Sequence, residues 1–299
     1  MACAIITYLW KICLCKIINN MEYIFDIENM KCSYKHVEAF QSDKTDIVLD
    51  IKNLKIPRGK VIFFVGPSGI GKSTILETLG FMNRTIASVD KFDYNGKDVR
   101  NIWGWSDDKI SDFRNKEFSF IFQQCNLMQN FTAYENVMAT ALIQGTSKDK
   151  ARILTNKILK LMELPANEDR PVYRYSGGQQ QRLAFARAIL PQFKVLFGDE
   201  PTGNLDVKSA ENLMKVLIES IKERQATAII VSHDMHLAVT YADMIIQIQR
   251  VSIGKNEIGS ENYYGLIDEN SIFDKKECWL HCGTTYTNDD LYVKLMEEI

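Results

Sequence analysis

The chain has 299 residues, 46% hydrophobic and 25% charged, with a formal net charge of −2. That is ordinary globular material, long enough for one large α/β domain with a small appendage, and the charge balance argues against a general nucleic-acid binder. Seven cysteines, odd in number and irregularly spaced, make no disulfide framework and read as reduced thiols.

The first twenty residues, MACAIITYLWKICLCKIINN, are mostly apolar but are cut by Lys11 and Lys16. No basic stretch precedes the apolar run, as a secretory signal needs, and the uninterrupted part is too short for a membrane-spanning helix. Three readings stand for residues 1–20: an extension from an upstream start, since Met21 opens a more ordinary sequence; a surface anchor with acylatable cysteines; or an added packed helix. No other segment reads as transmembrane. The main domain is expected over residues 21–250.

Val61 to Val65 is a continuous apolar run, expected as a central parallel strand buried on both faces. It leads into Gly66, Pro67, Ser68, Gly69, Ile70, Gly71, Lys72, Ser73 and Thr74, which fill the pattern G-x-x-x-x-G-K-[ST]. Ile75, Leu76 and Leu79 follow at helical spacing, and Gly80 offers a stop. Glycine permits positive φ and close backbone approach, so successive N–H groups can converge on anionic oxygens above a helix N-terminus. Lys72 is placed to reach the β and γ phosphates of a nucleotide, and Ser73 to ligate Mg²⁺. A flexible glycine turn without a ligand is the competing reading. The strand before the loop and the helix after it favour a nucleoside triphosphate.

Further along, KVLFGDEPTGNLD (residues 194–206) is an apolar strand running into Asp199 and Glu200. An aspartate at a strand's C-terminal end suits the hydration shell of Mg²⁺, and a glutamate beside it suits an attacking water. Alone, such a pair is more often an ordinary strand-to-loop transition. YSGGQQQR (residues 175–182) gives a second glycine-rich helix start at Ser176, Gly177, Gly178 and Gln179. It continues through Leu183, Phe185, Ala186 and Ile189 to Pro191. One nucleotide needs one cradle, so the second points to a facing copy across an interface; a capped helix with a flexible entry competes equally on this stretch alone.

These motifs, in this order, resemble those of the nucleotide-binding subunits of ABC transporters. The resemblance covers about residues 22–250 and adds Gln123 in FIFQQCNLMQNFTAYENV, Asp206 in GNLD, His233 in IIVSHD and Tyr34 in MKCSYK. It implies a P-loop NTPase fold, α/β, with a RecA-like core, a β-rich flank near Tyr34 and a helical insert over roughly 107–170. Tyr34 would stack on adenine. Gln123 would link the metal to the helical region, and Asp206 and His233 would complete the shared site. Gln123, Glu200 and His233 are the implied catalytic group, and Ser73, Gln123 and Asp199 the implied metal ligands. A homodimer with ATP between the glycine loop of one copy and the second glycine stretch of the other is implied. So is a separate membrane permease, with the chain peripheral on the cytoplasmic face of the membrane.

Two departures from the family pattern are Tyr175, where a leucine is usual, and Gly198, where a bulkier apolar residue is common; the small residue is expected because the strand end approaches the glycine loop. EPTGNLD with SGGQQQR is similar to the lipoprotein-releasing and macrolide-exporting branch. Soluble ABC proteins acting on ribosomes or DNA usually carry two cassettes, whereas SGGQ and GKST each occur once here. A mechanotransmission role without cargo stays open.

Residues 251–299 lie beyond the resemblance. Thr287 to Asp290 reads as a helix start, with Leu291, Leu295 and Ile299 at i, i+4 and i+8. Cys278, His281 and Cys282 would share a helical face there, but no fourth metal ligand lies nearby. A small packed or regulatory appendage is expected.

Overall fold

The computed structural model describes residues 22–34, 47–165, 169–203, 205–255, 261–276 and 278–297; residues 1–20 and Ile299 lie outside them. In chain order come β1 (Tyr23–Cys32), β2 (Leu49–Pro57), β3 (Val61–Val65), α1 (Lys72–Leu79), β4 (Ile86–Ser88), β5 (Lys91–Tyr94) and β6 (Lys97–Asp98). Next are α2 (Asp107–Glu117), β7 (Phe118–Ile121), α3 (Ala133–Ile143), α4 (Lys148–Leu161), α5 (Gly177–Ile189) and β8 (Val195–Asp199). Then follow α6 (Val207–Arg224), β9 (Thr227–Val231), α7 (Met235–Tyr241) and β10 (Met244–Gln247). The chain closes with β11 (Gln249–Lys255), β12 (Glu261–Ile267), β13 (Ile272–Lys275), β14 (Trp279–His281), β15 (Thr284–Tyr286) and α8 (Asn288–Glu297).

An eight-stranded sheet in the order β15-β14-β13-β10-β3-β9-β8-β7 forms the core. Strands β10, β3, β9, β8 and β7 run parallel, joined by crossovers, and β3 sits among them as its uninterrupted apolar sequence requires. Its side chains alternate between two cores. Val61, Phe63 and Val65 face a cluster shared with α5, α6, α7 and α8, while Ile62 and Phe64 face a cluster shared with α1 and the second sheet. That second, seven-stranded sheet runs β11-β12-β2-β1-β5-β6, with β4 also on β1. It is the β-rich flank expected near Tyr34.

Between the sheets lies an aromatic cluster in which Phe118 packs against Phe81, Tyr94, Phe113 and Phe197 with ring centroids 5.2–5.7 Å apart. The buried Tyr94 hydroxyl donates to Glu117 Oε2 at 2.7 Å, so the one polar atom on that ring is satisfied. The stretch 107–170 is not one helical block: β7, within it, belongs to the core sheet, because Phe118 and Ile121 are buried against β8. The helical region proper begins at α3.

The C-terminal segment extends the core sheet. Strand β13 pairs antiparallel with β10, and β14 and β15 continue outward, so β10 is not an edge. Helix α8 starts at the expected place: Thr287 and Asp290 cap one another, with Asp290 N–H donating to Thr287 Oγ1 at 3.2 Å and Thr287 N–H to Asp290 Oδ2 at 3.3 Å. Leu291 and Leu295 are fully buried, each contributing roughly 1.5–3 kcal/mol of apolar burial. Cys278, His281 and Cys282 are not on a helix. They lie on the β14–β15 hairpin, where the His281 ring stacks on Phe273 at 4.0 Å and its Nδ1 lies 3.0 Å from Ile272 O. Among the described residues no group of three metal-ligating side chains forms, and no helix is long and apolar enough to cross a membrane.

Candidate nucleotide site

The loop between β3 and α1 has the backbone its glycines permit: φ is +152° at Gly66, +76° at Gly69 and +104° at Gly71. No side chain caps the N-terminus of α1, and its first turn carries no acidic residue. The positive end of the helix is therefore left for an external anion. Lys72 Nζ folds back onto the loop, donating to Gly66 O at 2.8 Å and Pro67 O at 2.9 Å. Desolvation lowers its pKa, opposed by the nearby Glu200 and Asp199 carboxylates.

The loop forms one wall of a cleft of about 510 Å³ that gathers residues scattered through the sequence. Tyr34, Gly66, Pro67, Ser68, Gly69, Gly71, Lys72, Ser73, Thr74, Gln123, Asp199, Glu200 and His233 all line it. The parallel register explains the convergence: β3, β8 and β9 end side by side, so the residues following each strand meet at one sheet edge. Ile70 is the exception in the loop. Its side chain is buried at 1% exposure and points away from the cleft, so only its backbone is available there.

Asp199 ends β8, and its pKa is raised, first by burial and then by the Glu200 and Glu77 carboxylates, against the pull of Lys72. Glu200 takes φ +45°, a left-handed backbone that costs a non-glycine residue about 1–2 kcal/mol. Hydrogen bonds from Glu200 N to Val231 O (3.0 Å) and from Gly203 N to Glu200 O (3.1 Å) hold that geometry. Its carboxylate meets His233, whose Nδ1 is 2.8 Å from Glu200 Oε2 and whose backbone N–H donates to the same oxygen at 3.4 Å. The Tyr34 hydroxyl donates to Glu77 Oε2 at 2.8 Å and lies 3.0 Å from Thr74 Oγ1, and the residue is 54% exposed at the cleft.

Gly198 is small for a reason other than the one expected. A Cβ there would sit 3.3 Å from the Pro201 ring and 3.6 Å from Ile230, so the space is taken by the turn after Glu200 and by β9, not by the glycine loop. Ser176, Gly177, Gly178, Gln179 and Asp206 stand outside the cleft. Ser176 and Gln179 form a capping box at the start of α5, and a Cβ on Gly177 would meet no other element within 4 Å among the described residues. Asp206 caps α6 by accepting from Ser209 N at 3.0 Å.

Residues that no sequence motif announces hold the Gln123 loop. Cys125 and Asn126 have φ of +59° and +43°, and Arg187 of α5 donates to both of their carbonyls, at 3.0 and 2.6 Å. The Cys125 thiol donates to Gln181 Oε1 at 2.9 Å, and Gln181 Nε2 donates to Pro201 O. The extra polar residues of QQQR carried a hint of this; the partners were out of reach. Val48 and Val231, which line the cleft as apolar wall, carried no signal at all.

The ABC transporter family model matches residues 49–203, more than half of the chain. The chain belongs to the ABC transporter family. Among curated relatives it is 39% identical over 191 residues to the lipoprotein-releasing system ATP-binding protein LolD of Syntrophotalea carbinolica, covering 64% of this chain and 82% of that one. It is 35% identical over 215 residues to LolD of Myxococcus xanthus, covering 72% and 92%. The macrolide export ATP-binding/permease protein MacB of Bdellovibrio bacteriovorus is 35% identical over 215 residues, which is 71% of this chain. The chain spans about a third of the length of such MacB relatives, 30% in that case. The solved ATP-binding cassette MJ0796, a dimer bound to ADP and Pi in a post-hydrolysis state, matches with a TM-score of 0.62 at 28% identity over 75% of this chain and 93% of that one. As a member of this family, in the lipoprotein-release and macrolide-export branch, the chain is an ATP-binding ATPase.

Proposed function

We propose that this ATPase works as a head-to-tail homodimer that drives a separate membrane permease from the cytoplasmic face. The carrying observation is the split of the machinery. The cleft gathers the glycine loop, Gln123, Asp199, Glu200 and His233, yet Ser176 to Gln179 form an open, glycine-rich helix start outside it. In a dimer that start meets the γ-phosphate held by the other copy, and ATP is the ligand that closes the interface.

Within each cleft, Tyr34 offers its exposed ring to adenine, and Lys72 turns from its two loop carbonyls to the β and γ phosphates. The donor set fits Mg²⁺. Ser73, Gln123 and Asp199 would supply hard oxygen ligands, and the pKa of Asp199, raised first by burial and then by the Glu200 and Glu77 carboxylates, marks a charge that a cation would stabilise. When bound, the ion would neutralise charge on the β and γ phosphates. The chain's own chemistry lies with Glu200, whose carboxylate takes a proton from the attacking water while His233 holds its other side.

Coupling to the permease is supported by a groove of about 350 Å³ between α2, β7, α3 and α5, lined by Arg114, Phe120, Phe122, Ile143 and Arg187. Phe122 precedes Gln123, so a segment seated there would sense the metal site. The LolD and MacB resemblance supports export or extraction of a lipoprotein, peptide or drug-like cargo. Driving an extracytoplasmic process without cargo is the second reading. Light scattering on Glu200→Gln tests the dimer: it should be monomeric alone and dimeric with ATP, and adding Ser176→Arg should abolish the dimer while ATP still binds. A Glu200→Gln chain that stays monomeric with ATP bound overturns the shared site. Mass spectrometry of membrane proteins that co-purify with the chain identifies the permease.

A further inference from the structure

Strand β12 lies beyond every motif, yet it runs against the outer side of the glycine loop. It joins β2 in parallel, with Gly265 opposite Leu49 and Ile267 opposite Ile51. Gly265 N–H donates to Val48 O at 2.9 Å, and Val48 lines the nucleotide cleft. The backbone of Gly265 is not left-handed, so its smallness answers to space alone. A Cβ there would overlap the Ile70 carbonyl oxygen and lie 2.7 Å from Ile248 Cγ2.

The contact extends along the loop. A Cβ on Gly66 would lie 3.1 Å from Ile248 O, one on Gly71 3.4 Å from Val48 O, and one on Gly69 3.5 Å from the Tyr263 hydroxyl. Tyr263 is itself covered by the Arg250 guanidinium, 3.8 Å over its ring. Gly66, Gly69 and Ile70 thus face Ile248, Tyr263 and Gly265 from the chain after β10, while Gly71 faces Val48 and Leu49.

We propose that Gly265 is a positioning residue for the nucleotide, and that β12 is a wall of the phosphate loop. The Ile70 carbonyl and the Gly71 N–H belong to one planar peptide unit, so pushing the carbonyl rotates the N–H with it. That N–H stands at the head of α1, directly before Lys72 and Ser73. Misplacement by about 1 Å at such a site costs on the order of 10²-fold in function. The C-terminal segment is thus part of the ATP site, a conclusion that rests on ATP binding at the glycine loop.

Gly265→Ala in the full chain tests this by calorimetry and steady-state hydrolysis. Leu295→Ala is the control, because Leu295 is fully buried in the same segment but in the other core cluster. Gly265→Ala should raise both Kd and KM for MgATP by about tenfold or more while kcat stays within about twofold. Leu295→Ala should lower the thermal midpoint and leave Kd unchanged. Gly265→Ala binding MgATP as the parent does, or losing no more affinity than Leu295→Ala, overturns the proposal. Should Gly265→Ala not fold, hydrogen exchange on the unaltered chain decides: MgATP should slow exchange at the Gly265 N–H about tenfold, and unchanged exchange there overturns the proposal. An unaltered chain that binds no MgATP overturns instead the nucleotide reading on which it rests.

Discussion

Two glycine-rich helix starts, at α1 and at α5, look alike in sequence and differ in what surrounds them. At α1 the loop is closed in: its glycines take positive φ, a Cβ on Gly66 or Gly71 would crowd the Ile248 or Val48 carbonyl, and Lys72, Asp199 and Gln123 complete the wall. At α5 the start is self-capped by Ser176 and Gln179, and a Cβ on Gly177 would meet no neighbouring element among the described residues. A finished cradle binds phosphate by itself, whereas an open, capped one presents donors to a ligand carried by something else. The lesson is that a glycine pattern reports backbone freedom, and the neighbours decide whether that freedom makes a site or half of one.

Changes at the finished cradle have the largest expected effects. Glu200→Gln should lower the hydrolysis rate by about 10²–10⁴ with ATP binding retained, because the amide keeps the shape but cannot act as a base; single-turnover phosphate release measures it. Lys72→Ala should weaken ATP binding by on the order of 10²-fold, the loss of a charged donor to the phosphates. Calorimetry that found the parent affinity would remove Lys72 from the phosphate site.

Smaller effects sharpen the contrast. Ser176→Ala should cost about 1 kcal/mol of stability through the lost cap, a fall of roughly 2–4 °C in melting temperature. ATP affinity of the isolated monomer should not change, since the cleft is untouched; a weakened monomer would place Ser176 in the same site as Lys72.

Asp199→Asn gives the smallest shift, and its sign follows from the raised pKa. In the folded chain Asp199 holds its proton to higher pH than when unfolded, so the penalty for its charge is absent at acid pH and appears as pH rises through the raised value. Near neutral pH the amide should therefore raise the melting temperature without nucleotide, and scanning calorimetry checks it. By the same sign, Mg²⁺-dependent ATP binding by the parent should weaken on acidification at a higher pH than an ordinary aspartate would give. Unchanged binding through that range would argue against Asp199 as the metal's ligand.

Much of the fold and the cleft was legible because local chemistry forces it. The Val61–Val65 run could only be a doubly buried strand, the glycine loop needed its positive φ values, and Thr287 with Asp290 could cap a helix without outside help. Illegible parts depended on partners distant in sequence. Cys278, His281 and Cys282 suited a helix by spacing, but pairing with β13 made their segment a hairpin. Gly198 is a tight spot, as its place in the strand suggests, but Pro201 turning back over it fills the space instead of the glycine loop.

The sequence by itself determined that this protein has a glycine loop of phosphate-binding pattern behind a buried strand, an acidic strand end and a second glycine-rich helix start. Each of those is a property of residues within a few positions of one another. The family resemblance implies that Gln123, Asp199, Glu200 and His233 act together with Ser176 apart, but only the tertiary structure gives the cleft they line and places Gly265, some two hundred residues after the loop, against it. Those facts come from sheet order and register, which long-range packing selects and no local pattern encodes.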